Sequence, residues 1–195
     1  MKRTSFSLTV ALLIFISAKA FAFGPTDGYN IGDRVADFTV NNFDGNSYSL
    51  SSNGGKATVI VFWSTSCPFV QPYTDRIKAL VNEFSGQGIV FWGINSNNTE
   101  SVENVSEHYK DKGYNFPMLK DDKNVVADQF AAERTPEVFV IDNANMSLIY
   151  HGRIDDNKEA DKVTSNDLQN ALNHFLAGSE IAVKETKAFG CSIKR

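Results

Sequence analysis

The stretch Gly55-Lys56-Ala57-Thr58-Val59-Ile60-Val61-Phe62-Trp63-Ser64-Thr65-Ser66-Cys67-Pro68 decides the fold. Residues 58–63 are continuously apolar or β-branched, the pattern of a strand covered on both faces of a sheet. A short polar loop, a cysteine and a proline follow. Apolar residues then recur at Phe69, Val70, Tyr73, Ile77, Leu80, Val81 and Phe84, the 3–4 spacing of one helix face. Cys67 therefore stands where a buried strand hands over to a helix. Pro68 suits a first helical turn, whose N–H groups have no partners in any case. Those N–H groups and the positive end of the helix dipole favour a thiolate, and comparable sites lower a cysteine pKa from ~8.5 to roughly 3.5–7.5. The expectation is a reactive Cys67, exposed at the sheet edge; the bland alternative is a small residue packed in a junction.

Outward from this stretch the pattern repeats. Ile89-Val90-Phe91-Trp92-Gly93-Ile94 and Val138-Phe139-Val140-Ile141 are two further buried runs. Between them, Val102, Val105 and Tyr109 mark one helix, and Val125, Val126 and Phe130 a shorter one. Asp142-Asn143-Ala144-Asn145 reads as a hairpin turn into a strand over 146–151. Leu168, Ala171, Leu172, Phe175 and Leu176 form an amphipathic helix closed by Gly178. Upstream, Phe38 and Val40, the Asp44-Gly45 turn, and Tyr48 and Leu50 predict a small hairpin. Strands alternating with helices indicate an α/β domain with parallel crossovers, closed by antiparallel strands. Its central mixed sheet would be flanked by helices, with the hairpin before it. The domain is assigned to 31–178 and an extension carrying Cys191 to 179–195, with Ile181, Val183 and Phe189 packing that extension on the body.

The chain has 195 residues, 42% hydrophobic and 22% charged, which fits one globular domain. A formal charge of −4 without a basic block excludes the electrostatic footprint of nucleic-acid binding. Two cysteines are too few for a disulfide scaffold or a Cys-rich zinc or iron–sulfur site, and enough for a redox pair. Met1-Lys2-Arg3, an apolar run from Leu8 to Ile16 and Ala20-Phe21-Ala22 make a secretory signal peptide over 1–22, cleaved after Ala22. The run is shorter than the ~20 residues of a bilayer span, so no membrane association is expected after cleavage. The periplasm is the first expectation and the extracellular medium the second.

Residues 31–142 resemble the thioredoxin-like superfamily, in its redoxin (AhpC/TSA) branch of peroxiredoxin-like and exported TlpA-like members. The resemblance rests on Gly32-Asp33-Arg34-Val35-Ala36-Asp37-Phe38, Asp44-Gly45-Asn46-Ser47-Tyr48-Ser49-Leu50, the opening stretch, and Thr135-Pro136-Glu137-Val138-Phe139-Val140-Ile141-Asp142. It implies a thioredoxin-like fold, thiol chemistry at Cys67, and a cis Pro136 lying against that cysteine. The departures are specific. Val70 stands where thioredoxins carry a second motif cysteine, and Val61 where they carry a buried acid. Ile60 holds the place of the peroxiredoxin proline, although Ser64 could mimic the hydroxyl of that motif. The chain is most similar to members with one motif cysteine and a Gly-Cys-Ser-Ile-Lys tail.

Cys191, with Lys194 and Arg195 nearby, has three open readings. It resolves an oxidised Cys67, it forms a permanent staple with it, or the two thiols are independent. Trp63, Ser66, Pro68, Thr135, Pro136 and Glu137 are the expected walls and supports of the groove, with Glu137 a candidate proton acceptor. Among the histidines His151 is the strongest candidate; His108 and His174, on helices, read as surface or boundary residues. Asp155, Asp156, Glu159 and Asp161 read as a solvated acidic loop. Neither a metal nor an organic cofactor is expected. The expected partners are a disulfide-bearing protein or a small peroxide, together with an external thiol reductant, which would make antioxidant activity one outcome. A non-catalytic binding module on the same scaffold is the alternative, and no oligomeric state follows from the sequence.

Overall fold

The computed structural model describes residues 27–195, so the leader expected over 1–22 lies outside the described residues. A central five-stranded sheet has the order β5-β4-β3-β7-β8. β3 (Ala57–Phe62), β4 (Ile89–Asn95) and β5 (Met118–Lys120) run parallel, joined by α1 (Thr74–Phe84) and α2 (Val102–Lys112). β7 (Glu137–Asp142) lies antiparallel to β3, and β8 (Ser147–Gly152) closes the hairpin on β7. α3 (Val125–Phe130) and α4 (Asp167–Leu176) complete the helices, and β1 (Thr39–Asn41) and β2 (Ser47–Ser49) form the small leading hairpin.

Alternation along β3 explains why its sequence reads as one apolar run. Val59 and Val61 face a core shared with Ile77 and Phe84 of α1 and Leu168 and Leu172 of α4. Ile60 and Phe62 face a second core with Trp92, Phe130 and Phe139. Both faces are covered, so the strand is apolar apart from Thr58, whose buried hydroxyl accepts from Asn53 Nδ2 at 2.7 Å and donates to Asn143 Oδ1 at 2.9 Å. Among the described residues no helix is long and apolar enough to cross a membrane.

The structure corrects several details. α1 begins at Thr74, not beside Cys67. Pro72 has no N–H to give to the Pro68 carbonyl, and its ring blocks that carbonyl. The lead-in uses tighter i→i+3 bonds instead, from Val70 N to Cys67 O (3.0 Å) and from Tyr73 N to Val70 O (2.9 Å). β5 has only three residues, too short for a periodicity reading, and is fixed by pairing with β4. Val183 is 53% exposed and does not pack. Val102 and Val125, on the helix stripes, are also exposed. Asp155 is not solvated: it is buried, ion-paired to Arg76 of α1, and accepts from the Tyr73 hydroxyl at 3.0 Å.

Candidate functional site

Two short strands escaped the sequence reading and build the site. β6 (Arg134–Thr135) pairs antiparallel with β9 (Cys191–Ser192), opposing Thr135 to Cys191 and Arg134 to Ser192. The pairing lays the C-terminal segment over the loop where β3 gives way to α1. Cys67 and Cys191, 124 positions apart, are joined by a disulfide with their Cα atoms 6.1 Å apart. Of the three readings for Cys191, independent thiols are thereby excluded. Cys67 is 2% exposed, against the expectation of an exposed sulfur. Burial comes from the core behind it, where it packs with Trp63, Val70 and Tyr73, and from the C-terminal strap in front.

The Thr135–Pro136 peptide bond is cis, as the resemblance implies. The Thr135 carbonyl oxygen lies 3.4 Å from the Cys67 Sγ. No hydrogen bond joins them in the disulfide, which carries no proton; after reduction the thiol would have this acceptor to donate to. The Thr135 hydroxyl is buried without a hydrogen-bond partner. Gly190 sits so close that a Cβ there would be 2.1 Å from the Thr135 carbonyl oxygen, and its φ of +153° also favours glycine.

The other expected residues take varied places. Ser66 and Pro68 are exposed on the rim. Trp63 is fully buried and donates from Nε1 to the Tyr114 hydroxyl at 3.0 Å, so it supports the loop from the core and lines no groove. Glu137 is neither a free proton acceptor nor a solvated strand end. One of its oxygens accepts from Glu133 N and Arg134 N, both at 2.8 Å, and the other faces His151 Nε2 at 2.8 Å. It therefore clamps the chain entering the cis-proline turn. His151 completes that clamp, stacked on Phe139 with ring centroids 4.3 Å apart. His108 meets the Tyr114 hydroxyl at 3.2 Å, with burial pushing its pKa down, and His174 meets Ser179 Oγ at 3.0 Å. Among the described residues no group of three or more His, Cys, Asp or Glu could hold a metal.

Glu100 was missed, and it organises the loop ahead of Cys67. It is 6% exposed, in the turn before α2. Its carboxylate accepts from the Ser64 and Ser66 hydroxyls at 2.6 Å, from Thr65 N at 2.9 Å and from Asn97 Nδ2 at 3.2 Å, with Asn95 Nδ2 a further donor. Burial pushes its pKa up, but the hydrogen bonds outweigh burial and hold it at about 2. Ser64 is thus committed to Glu100 and is not free to act as a peroxiredoxin-like hydroxyl. Asn97 Oδ1 also accepts from Lys194 N at 2.8 Å, tying the loop clamp to the strap.

Residues 31–148 match the AhpC/TSA family. A crystal structure of a hypothetical protein from Sinorhizobium meliloti 1021 superposes with a TM-score of 0.78 at 32% identity, covering 86% of this chain and 95% of that one. The thiol-disulfide oxidoreductase ResA of Bacillus subtilis is 27% identical over 148 residues, 72% of this chain and 80% of its own. The thioredoxin domain of a thiol-disulfide oxidoreductase from Bacteroides vulgatus shares the fold, with a TM-score of 0.61 at 17% identity over 76% of this chain and 99% of that one. The architecture is thioredoxin-like, and thiol-disulfide oxidoreductases are among the proteins it is similar to.

Proposed function

The chain belongs to the AhpC/TSA family, and on that premise we propose that it is an exported thiol-disulfide oxidoreductase whose working pair is Cys67 and Cys191. The observation that carries the reading is the bond between these sulfurs, made against the residue before the cis proline. The missing Cys-x-x-Cys partner is supplied from the other end of the chain. In this reading the disulfide is the oxidised form, and two electrons and two protons from an external thiol reductant convert it to the dithiol. The dithiol then passes both to a substrate disulfide, which becomes two thiols as the Cys67–Cys191 bond re-forms. ResA relatives support a disulfide substrate over a peroxide, and the commitment of Ser64 to Glu100 weakens the peroxidase reading. Export is supported by the leader pattern in residues 1–22 and by the need of such a bond for an oxidising compartment.

The competing reading is a permanent staple in a binding module, and the burial of Cys67 favours it. The two separate under mild reduction. Dithiothreitol should open the bond in the folded protein, with far-ultraviolet circular dichroism unchanged and both thiols then alkylated on mass mapping. Cys67→Ser and Cys191→Ser should each abolish catalysed reduction of a disulfide substrate. A bond that yields only after denaturation would refute the proposal.

A further inference from the structure

We propose that thiols enter and leave this site through Cys191, with Cys67 serving as the buried sulfur that never carries an external adduct. The inference rests on the redox reading of the pair. Thiol–disulfide exchange needs the incoming sulfur to approach from behind the sulfur it attacks, in line with the bond that breaks. Behind Cys67 lies the core of the strand–helix junction, with Trp63, Val70 and Tyr73, and the residue is 2% exposed. Cys191 is half-buried and lies on a strap whose next residue, Ser192, is exposed. Access therefore selects Cys191, although the motif position of Cys67 singles that residue out in the sequence.

The strap also stays in place once the bond opens, because its other attachments involve neither sulfur. Upstream, Thr186 N donates to His151 O at 3.0 Å, and its Oγ1 accepts from Arg153 N at 3.0 Å. Downstream, Ile193 is buried and its N donates to Glu133 O at 2.9 Å, and Arg195 Nε meets Asp128 at 2.8 Å. Cys67 thus remains covered in the half-reduced state. In the first step a thiol RSH attacks Cys191 Sγ. The bond to Cys67 breaks, a bond from R–S to Cys191 forms, and the proton of RSH passes to the leaving Cys67 sulfur, whose thiol then has the Thr135 carbonyl 3.4 Å away as acceptor. A second thiol attacks the R sulfur, releasing RSSR and leaving Cys191 as a thiol.

The probe is reduced glutathione, applied in excess to the oxidised full chain, quenched with acid, alkylated with N-ethylmaleimide and mapped by mass. Glutathione on Cys191 with N-ethylmaleimide on Cys67 is expected. Glutathione on Cys67 would overturn the proposal and leave the redox pair standing. Where no adduct is caught, single-cysteine variants decide. The Cys191 thiol of Cys67→Ser should react with 5,5′-dithiobis(2-nitrobenzoate) at least about tenfold faster than the Cys67 thiol of Cys191→Ser, since Cys67 is covered and its thiol has the Thr135 carbonyl as an acceptor. Equal rates, or a faster Cys67, overturn the assignment. A wild-type bond inert to both glutathione and dithiothreitol in the folded protein refutes the redox reading itself.

Discussion

Glu100→Gln removes one charge from a buried position and leaves the shape of the side chain almost unchanged, so its effect isolates what the carboxylate does for the loop ahead of Cys67. The ordinary glutamate value is 4.5, and the folded protein holds Glu100 at about 2. The charged form is the one stabilised by folding. Its contribution is therefore complete above about pH 4.5 and disappears as pH falls through about 2. A depression of this size corresponds to about 3 kcal/mol at pH 7. The variant keeps one accepting oxygen and turns an amide N–H₂ either toward the Ser64 and Ser66 hydroxyls and Asn97 Nδ2 or toward Thr65 N and Asn95 Nδ2, donors from which that group cannot accept.

The assay is urea unfolding of both proteins, with the disulfide intact, at pH 7, 4.5 and 3. Other carboxylates titrate in the same range and cancel in the difference between the two proteins. The gap should be about 3 kcal/mol at pH 7 and narrow by about 2 kcal/mol at pH 3. For a chain of this size that gap is a midpoint shift of roughly 1–2 M urea. A gap below about 1 kcal/mol at pH 7, or one that stays constant down to pH 3, would refute the view that ionised Glu100 holds the loop.

Three further outcomes follow from other parts of the structure. Cys191→Ser frees a loop of 124 positions in the unfolded chain and should cost about 4–5 kcal/mol in the chain-entropy account, read as a lower urea midpoint with a larger m value. Gly190→Ala places a methyl group against the Thr135 carbonyl at a positive φ; it should cost about 2 kcal/mol and lower the fraction of Cys67–Cys191 bond recovered on oxidative refolding, by non-reducing mass analysis. Arg76→Ala strands the buried Asp155 carboxylate and should destabilise by about 3 kcal/mol in the same urea assay, with Arg76→Lys recovering part of the loss.

What was legible in the sequence, and what was not, divides along the range of the interactions. The buried runs of β3, β4 and β7, the α4 stripe and the turn at Asp44-Gly45 follow from periodicity and turn chemistry within a few residues. β6 and β9 have two residues each and exist only because they find one another across the chain. Asp155 looks solvated in a run of acids, and nothing nearby in sequence announces Arg76, 79 positions away. Glu100 looks like one more polar residue opening a weak helix, since its partners at 64–66 come from another crossover. Polar clamps of this kind carry no periodic signal. They are recognised only once burial and partners are known.

Cys67 shows how a correct local reading can reverse a chemical conclusion. A strand covered on both faces, ending in a loop and a cysteine, was what marked Cys67 as the reactive residue. The same feature guarantees a packed core immediately behind it, because such a strand exists only where both faces are buried. Free N–H groups at a helix start would favour the Cys67 thiolate, but Pro72 delays α1 to Thr74, and the Thr135 carbonyl faces the sulfur as an acceptor. A nearby acceptor stabilises the thiol over the thiolate. Cys191 has neither signature in the sequence, yet it occupies the outer position of the pair. In this fold the residue that the motif identifies is the more buried of the two cysteines, and the strap that carries the other makes the difference.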